Sequence, residues 1–142
     1  MSEREGSDCR AFIAVLSGKC SMAVILIVED DVFIRQIAEM MFENWGHKQL
    51  SASDGEEALP FLRSPQHIDA LFTDIYLKKE PNGGCDLAHE AIKLRPGLRV
   101  IYATGNPITD KMKALFVEGS HFLQKPYTQD QLQNVVEELL AA

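Results

Sequence analysis

A chain of 142 residues, 46% hydrophobic and 25% charged, is long enough for one domain and too apolar to stay disordered. Its 21 acidic against 14 basic side chains leave a net charge of -7, and no stretch gathers the basic ones into a stripe, so direct nucleic-acid binding is not expected. No apolar run approaches a membrane span, and the scattered Cys9, Cys20 and Cys85 offer neither a disulfide framework nor a zinc site, which fits a reducing cytoplasm.

Residues 1–22 read as an extension. "AFIAVL" (11–16) followed by "SGKC" imitates a secretory signal, but Glu3, Glu5 and Asp8 precede it where a signal carries positive charge, and the apolar run is too short. These acids cancel Arg4, Arg10 and Lys19, so the whole net charge belongs to residues 23–142. Met22 is a candidate natural start, and Phe12, Ile13, Val15 and Leu16 are candidates for docking on the rest of the chain.

From Met22 onward strands and helices alternate. "AVILIV" (23–28) is a continuous apolar, β-rich run of the kind found in a parallel sheet covered on both faces. Residues 32–45 place Phe33, Ile34, Ile37, Met40 and Met41 at helical spacing, with Asp31 as N-cap and Gly46 as the stop. "KQLSA" (48–52) is a short strand. The next helix has Asp54 as cap and Glu57 three residues on, a capping-box arrangement, with Pro60 expected to kink or shorten it. "IDALFT" is the third strand, 85–95 a helix closed by basic residues and "PG", and "LRVIYAT" the fourth strand. Residues 107–118 can be helical, "SHFLQ" is the fifth strand, and "TQDQLQNVVEELL" is a capped terminal helix with Leu132, Val135, Val136 and Leu139 on one face. The four histidines (His47, His67, His89, His121) have no i, i+4 pairing and read as surface or boundary residues.

This alternation predicts an α/β fold, a doubly wound five-stranded parallel sheet, whose ligands bind at the carboxyl ends of the strands. Glu29 and Asp30 follow the first strand, Asp74 ends the third, Thr104 ends the fourth, and Lys125 with Pro126 follows the fifth. Clustered carboxylates favour a hard cation such as Mg2+, which also accepts phosphate oxygens. A carboxylate so placed can attack a phosphoryl donor, while the cation and a lysine neutralise the transferring oxygens and a threonine hydroxyl bonds one of them. Asp74 is then the nucleophile.

Together "ILIVEDD", "LFTDIYL", "IYATG" and "FLQKPY" resemble the receiver domain of two-component response regulators, with the flavodoxin-like (βα)5 fold, over residues 23–142. The resemblance implies Glu29 and Asp30 as a Mg2+-binding pair, Asp74 as phosphoacceptor and third ligand, Thr104 as the phosphoryl-sensing hydroxyl and Lys125 as its cationic partner. It implies Phe122 as the switch aromatic, a backbone carbonyl of Tyr76 on the metal, and a cis Lys125–Pro126 bond. One departure is "LKKEPNGG" after the phosphoacceptor, a loop longer than the family's by one or two residues. "YATGN" is similar to a receiver subgroup with a Phe-Ala-Thr-Gly motif, Tyr102 replacing the Phe.

Blander readings exist for single residues. Asp30 or Asp31 could simply cap a helix and Thr104 could satisfy a turn, but capping explains neither Asp74 at a strand end nor Lys125 beside it. As a core aromatic on the fifth strand, Phe122 needs no function. A flavodoxin-like FMN electron carrier is the alternative, because "ATGN" resembles that family's phosphate loop. Such loops follow the first strand, which here is followed by acids that repel phosphate. An aspartate-nucleophile phosphatase wants an Asp two residues after Asp74, where Tyr76 stands. The expectation is therefore a stand-alone receiver rather than an enzyme, apart from its own Mg2+-dependent phosphorylation and dephosphorylation. A histidine kinase or histidine phosphotransfer protein would phosphorylate it, and it would act on a downstream protein target, with a homodimer left open.

Overall fold

Alternate residues of β1 (Val24–Val28) point to opposite sides of a sheet, and both sides are buried. The computed structural model describes residues 22–77 and 80–141. The extension expected at 1–22 lies outside the described residues except for Met22, as do the docking residues suggested within it. β2 (Lys48–Ala52), β3 (Ala70–Asp74), β4 (Arg99–Thr104) and β5 (His121–Gln124) join β1 in one sheet of order β2-β1-β3-β4-β5. Every pairing is parallel, with Val28 beside Ala52 and Thr73, Asp74 beside Ala103, and Thr104 beside Gln124. The doubly wound α/β expectation holds.

Two apolar layers sandwich this sheet. Leu26, Val28, Leu71 and Val100 meet α2 (Gly55–Arg63) and α3 (Gly83–Leu94) through Ala58, Leu62, Ala88 and Ala91. Ile25, Ile27, Phe72 and Ile101 meet α1 (Val32–Asn44) and α5 (Gln129–Ala141) through Ala38, Phe42, Leu132 and Val136. Among the described residues no helix is long and apolar enough to cross a membrane.

The caps behave as their residue types require. Asp31 accepts from the amides of Phe33 and Ile34, and Gly46 stops α1 at a positive φ of 85°. Asp54 accepts from Glu57 N at 2.9 Å, but Glu57 reaches back to Ser53 N rather than to the cap itself. α2 runs through Pro60 and ends at Arg63. Thr128 and Gln131 bond reciprocally at the start of α5.

Two helices depart from expectation. On α1 the buried positions are Ala38 and Phe42, while Phe33, Ile37 and Met40 are 78%, 51% and 62% exposed. Apolar residues surround most of this helix, so spacing alone leaves its rotation open. The small Ala38 lets the backbone approach, and the Phe42 ring meets Phe72 edge-on at 5.8 Å. α4 covers only Asp110–Lys113, not 107–118. Beyond it the chain is drawn onto the sheet: Phe116 stacks on Tyr102 at 4.3 Å, and Val117 N donates to the buried Tyr102 hydroxyl at 3.0 Å. A packed aromatic and a buried hydrogen bond outweigh a weak helical propensity. The bond also gives a use to the Tyr that replaces Phe in "YATG".

Candidate functional site

Because β1 and β3 are neighbours while their helices pack on opposite faces, a crevice opens at the carboxyl edge of the sheet. Glu29 follows β1 there, Asp74 closes β3, and Lys125 arrives from β5 through a cis Lys125–Pro126 bond, as the resemblance implied. Lys125 Nζ lies 2.6 Å from Glu29 Oε1 and 3.1 Å from Asp74 Oδ2. The three side chains are only 17%, 7% and 11% exposed.

The turn after β1 is held from several sides. Arg35 Nη1 donates to the Glu29 carbonyl at 2.9 Å, and Asp31 N donates to Glu29 Oε2 at 3.2 Å. Asp30 is exposed beside it, and one carboxylate oxygen from each of Glu29, Asp30 and Asp74 lies within 4.8 Å of the others. Burial pushes the Glu29 carboxyl up to about 7, against the Lys125 hydrogen bond and with help from the Asp74 charge. Burial also raises Asp74, and Lys125 only partly offsets it. The Lys125 ammonium is disfavoured by burial, yet its bonds to both carboxylates hold it above its ordinary value.

Lys125 answers both largely buried carboxylates, Glu29 and Asp74, and a cation shared with the exposed Asp30 would relieve the repulsion between them. The donors are all oxygens, close enough to share one ion. That set fits a hard divalent cation such as Mg2+ better than zinc or copper, which favour nitrogen and sulfur.

The other singled-out residues divide. Thr104 is 1% exposed, its hydroxyl accepting from Asn106 N at 3.1 Å and its carbonyl from Lys125 N at 2.7 Å. Tyr76 turns its ring outward, 45% exposed. Phe122 is not the core aromatic that its strand position suggested. It is 41% exposed, 5.8 Å from the Phe116 ring, with the Lys113 ammonium 5.3 Å from its own. The FMN alternative fares poorly on geometry, since the "ATGN" turn follows β4 and not β1, whose end carries the acids.

Sequence reasoning passed over Arg35, Gly84 and Tyr127. A Cβ on Gly84 would stand 1.9 Å from the Asp74 carbonyl oxygen, so the backbone beneath Asp74 admits only glycine. After Asp74, the backbones of Leu77 and Glu80 exchange hydrogen bonds at 3.2 and 2.8 Å, and Gly84 N then returns to Ile75 O. Tyr127 lies edge-on to Phe72 at 6.0 Å and borders a small cavity beneath Asp74 with Ile34 and Ala38. Burial, with the nearby Glu29 and Asp74 charges, pushes its phenol up to about 12 despite the Lys125 charge. The doubled glycine of "PNGG" and the aromatic of "KPY" were the available signals.

A family model described as the response regulator receiver domain matches residues 25–137. Among solved structures, a receiver domain protein from Clostridium thermocellum is 30% identical with a TM-score of 0.75, covering 84% of this chain and 95% of that one. A receiver protein from Sinorhizobium medicae WSM419 is 27% identical at 0.77, covering 85% and 96%. Among curated relatives, the DNA-binding transcriptional regulator NtrC of Azospirillum brasilense is 29% identical over 84% of this chain and 24% of its own length. The hybrid signal transduction histidine kinase K of Dictyostelium discoideum is 27% identical over 80% and 10%. The chain thus spans less than half the length of those relatives.

Proposed function

The chain belongs to the receiver domain family of response regulators, and from that premise we propose that residues 23–142 capture a phosphoryl group on Asp74 and pass the event on through protein contacts. The observation that carries the reading is the Lys125 bridge to both Glu29 and Asp74, beside a third carboxylate, Asp30, close enough to share one ion with them.

Glu29, Asp30 and Asp74 would hold Mg2+, with the Tyr76 carbonyl as a further oxygen. The bound ion would supply charge neutralisation for phosphoryl oxygens. The rest falls to the chain. Lys125 favours the ionised form of Asp74, partly offsetting its burial, and presents its ammonium to the incoming group. An Asp74 carboxylate oxygen attacks phosphorus, an O–P bond forms, and the donor's N–P bond breaks. The electron pair stays on the donor's imidazole nitrogen, which a histidine kinase or phosphotransfer protein would provide, and that nitrogen then takes up a proton. Tyr127 and Phe72 wall the floor of the site and limit water there. Thr104 would donate its hydroxyl proton to the acyl phosphate, and Phe122 would turn inward into the space it leaves, changing the face made by α4, β5 and α5. The phosphodonor proteins imply a cytoplasmic setting, and the output is binding to a downstream protein.

Incubation with acetyl phosphate and Mg2+, followed by intact-mass measurement, tests the reading. One phosphoryl is expected on the native protein and none on Asp74→Asn. Equal labelling of both would end it.

A further inference from the structure

The residue before Lys125 drew no notice in the sequence, since a glutamine on an outer strand is unremarkable there. Its carboxamide has two N–H donors, and both are used: Gln124 Nε2 donates to Thr104 O at 3.1 Å and to Asn106 O at 2.9 Å. Those carbonyls bracket the turn 104–106. Inside it, Asn106 N donates to Thr104 Oγ1 at 3.1 Å, so the turn and the hydroxyl are tied together. A single exposed side chain therefore grips both ends of the segment that carries Thr104.

We propose that Gln124 is a positioning residue: its carboxamide clamps the Thr104–Asn106 turn in the place it holds before phosphorylation. The proposal rests on the function read above, because it concerns how readily Thr104 moves toward a phosphoryl group on Asp74. Lys125 N also donates to Thr104 O, at 2.7 Å. That bond belongs to the continuing β4–β5 ladder and anchors only the residue nearest the sheet. The bond to Asn106 lies beyond the ladder, on the part of the turn free to shift, and it depends on the side chain alone. If the turn must move to present Thr104, those bonds stabilise the resting state and oppose the phosphorylated one. Removing the donor lowers that opposition without touching Asp74, Lys125 or the acid cluster.

Two full-chain variants of equal size test this. Gln124→Leu has no polar group, and Gln124→Glu has a carboxylate that cannot donate at neutral pH. The probe is beryllofluoride with Mg2+, followed through the amide resonances of Gly105 and Asn106. Both variants are expected to bind it about threefold to tenfold more tightly than the native protein, as loss of one or two modest hydrogen bonds from the resting state allows. In a Thr104→Ala background the gain should vanish, which a merely structural role for Gln124 would not produce. Native-like or weaker affinity in both variants, with saturable binding to the native protein that Asp74→Asn abolishes, overturns the clamp and leaves the function standing. Failure of the native protein to bind beryllofluoride overturns both.

Discussion

At the amino end of the strands, Arg95 donates to the carbonyls of Leu62 and Ser64 at 3.0 and 2.7 Å, capping α2, and Arg99 donates to Leu139 O in α5. Asp69 there accepts from Val24 N at 2.8 Å and faces His67 at 2.8 Å. At the carboxyl end, Lys125 bridges Glu29 and Asp74, Asp31 N donates to the other Glu29 oxygen, and Asp30 lies alongside. Charges that serve architecture find their partners in the chain itself, in this case helix ends whose carbonyls carry the negative dipole. The acid cluster is built from equally well-placed groups, but they press two largely buried carboxylates, Glu29 and Asp74, against each other. Such crowding weakens the metal-free fold and favours a cation supplied from outside.

This contrast can be broken most sharply at Arg95. Arg95→Met should lower stability by about 2 to 4 kcal/mol, because charged donors leave several carbonyls, while Mg2+ affinity stays native. Thermal melts beside a metal titration decide it, and a shifted Mg2+ affinity would mean that the two ends are coupled.

Next in size is Glu29→Gln, expected to act in the opposite direction. The Glu29 carboxyl sits at about 7 in the fold against an ordinary 4.5. Between those values the folded chain holds the extra proton, so stability falls as pH rises through the window and the deficit is complete above it. At pH 8 without metal, Glu29→Gln should be more stable than the native protein by about 1 to 3 kcal/mol, and near pH 4.5 the two should converge. Millimolar Mg2+ should stabilise the native protein and close the gap. A gap independent of pH would show that the carboxyl is not strained.

The smallest effect belongs to His47, whose Nδ1 accepts from Ala23 N at 3.0 Å. Burial lowers its proton affinity, with Asp69 opposing. The unfolded chain then takes the proton first, so stability should fall as pH drops below about 6.5, by no more than about 1 kcal/mol. Melts at pH 7.5 and 5.5 should show the native protein losing this much relative to His47→Gln, since the opposite slope from Glu29 is common to both. Equal losses would assign the slope to another group.

Much of this was legible because it is written in short-range patterns. β1 follows its apolar run to within a residue, Asp31 and Asp54 cap as their side chains dictate, and the order Glu29, Asp74, Thr104, Lys125 along the strand ends announces a common edge. What stayed hidden depends on contacts between distant segments. Periodicity could not tell that α1 turns Phe42 rather than Phe33 inward, since both lie on apolar arcs. The length of α4 was settled by Tyr102, which captures Phe116 and Val117. Gly84 is fixed by the Asp74 carbonyl across the loop, and Gln124 by a turn on the neighbouring strand.

The single tryptophan gives this arrangement an optical consequence. Trp45 is the C-cap of α1, half-buried and edge-on to Phe42 at 5.8 Å, while Asp31 caps the other end of that 13-residue helix beside the acids. At about 1.5 Å per residue the indole stands about 20 Å from the cluster. Its emission therefore reads the docking of α1 on the sheet, while Tyr127, bordering the cavity beneath Asp74, is a chromophore close to the carboxylates. Indole fluorescence and phenol absorbance give two separate channels, one for whether the chain is folded and one for what its acidic end is holding.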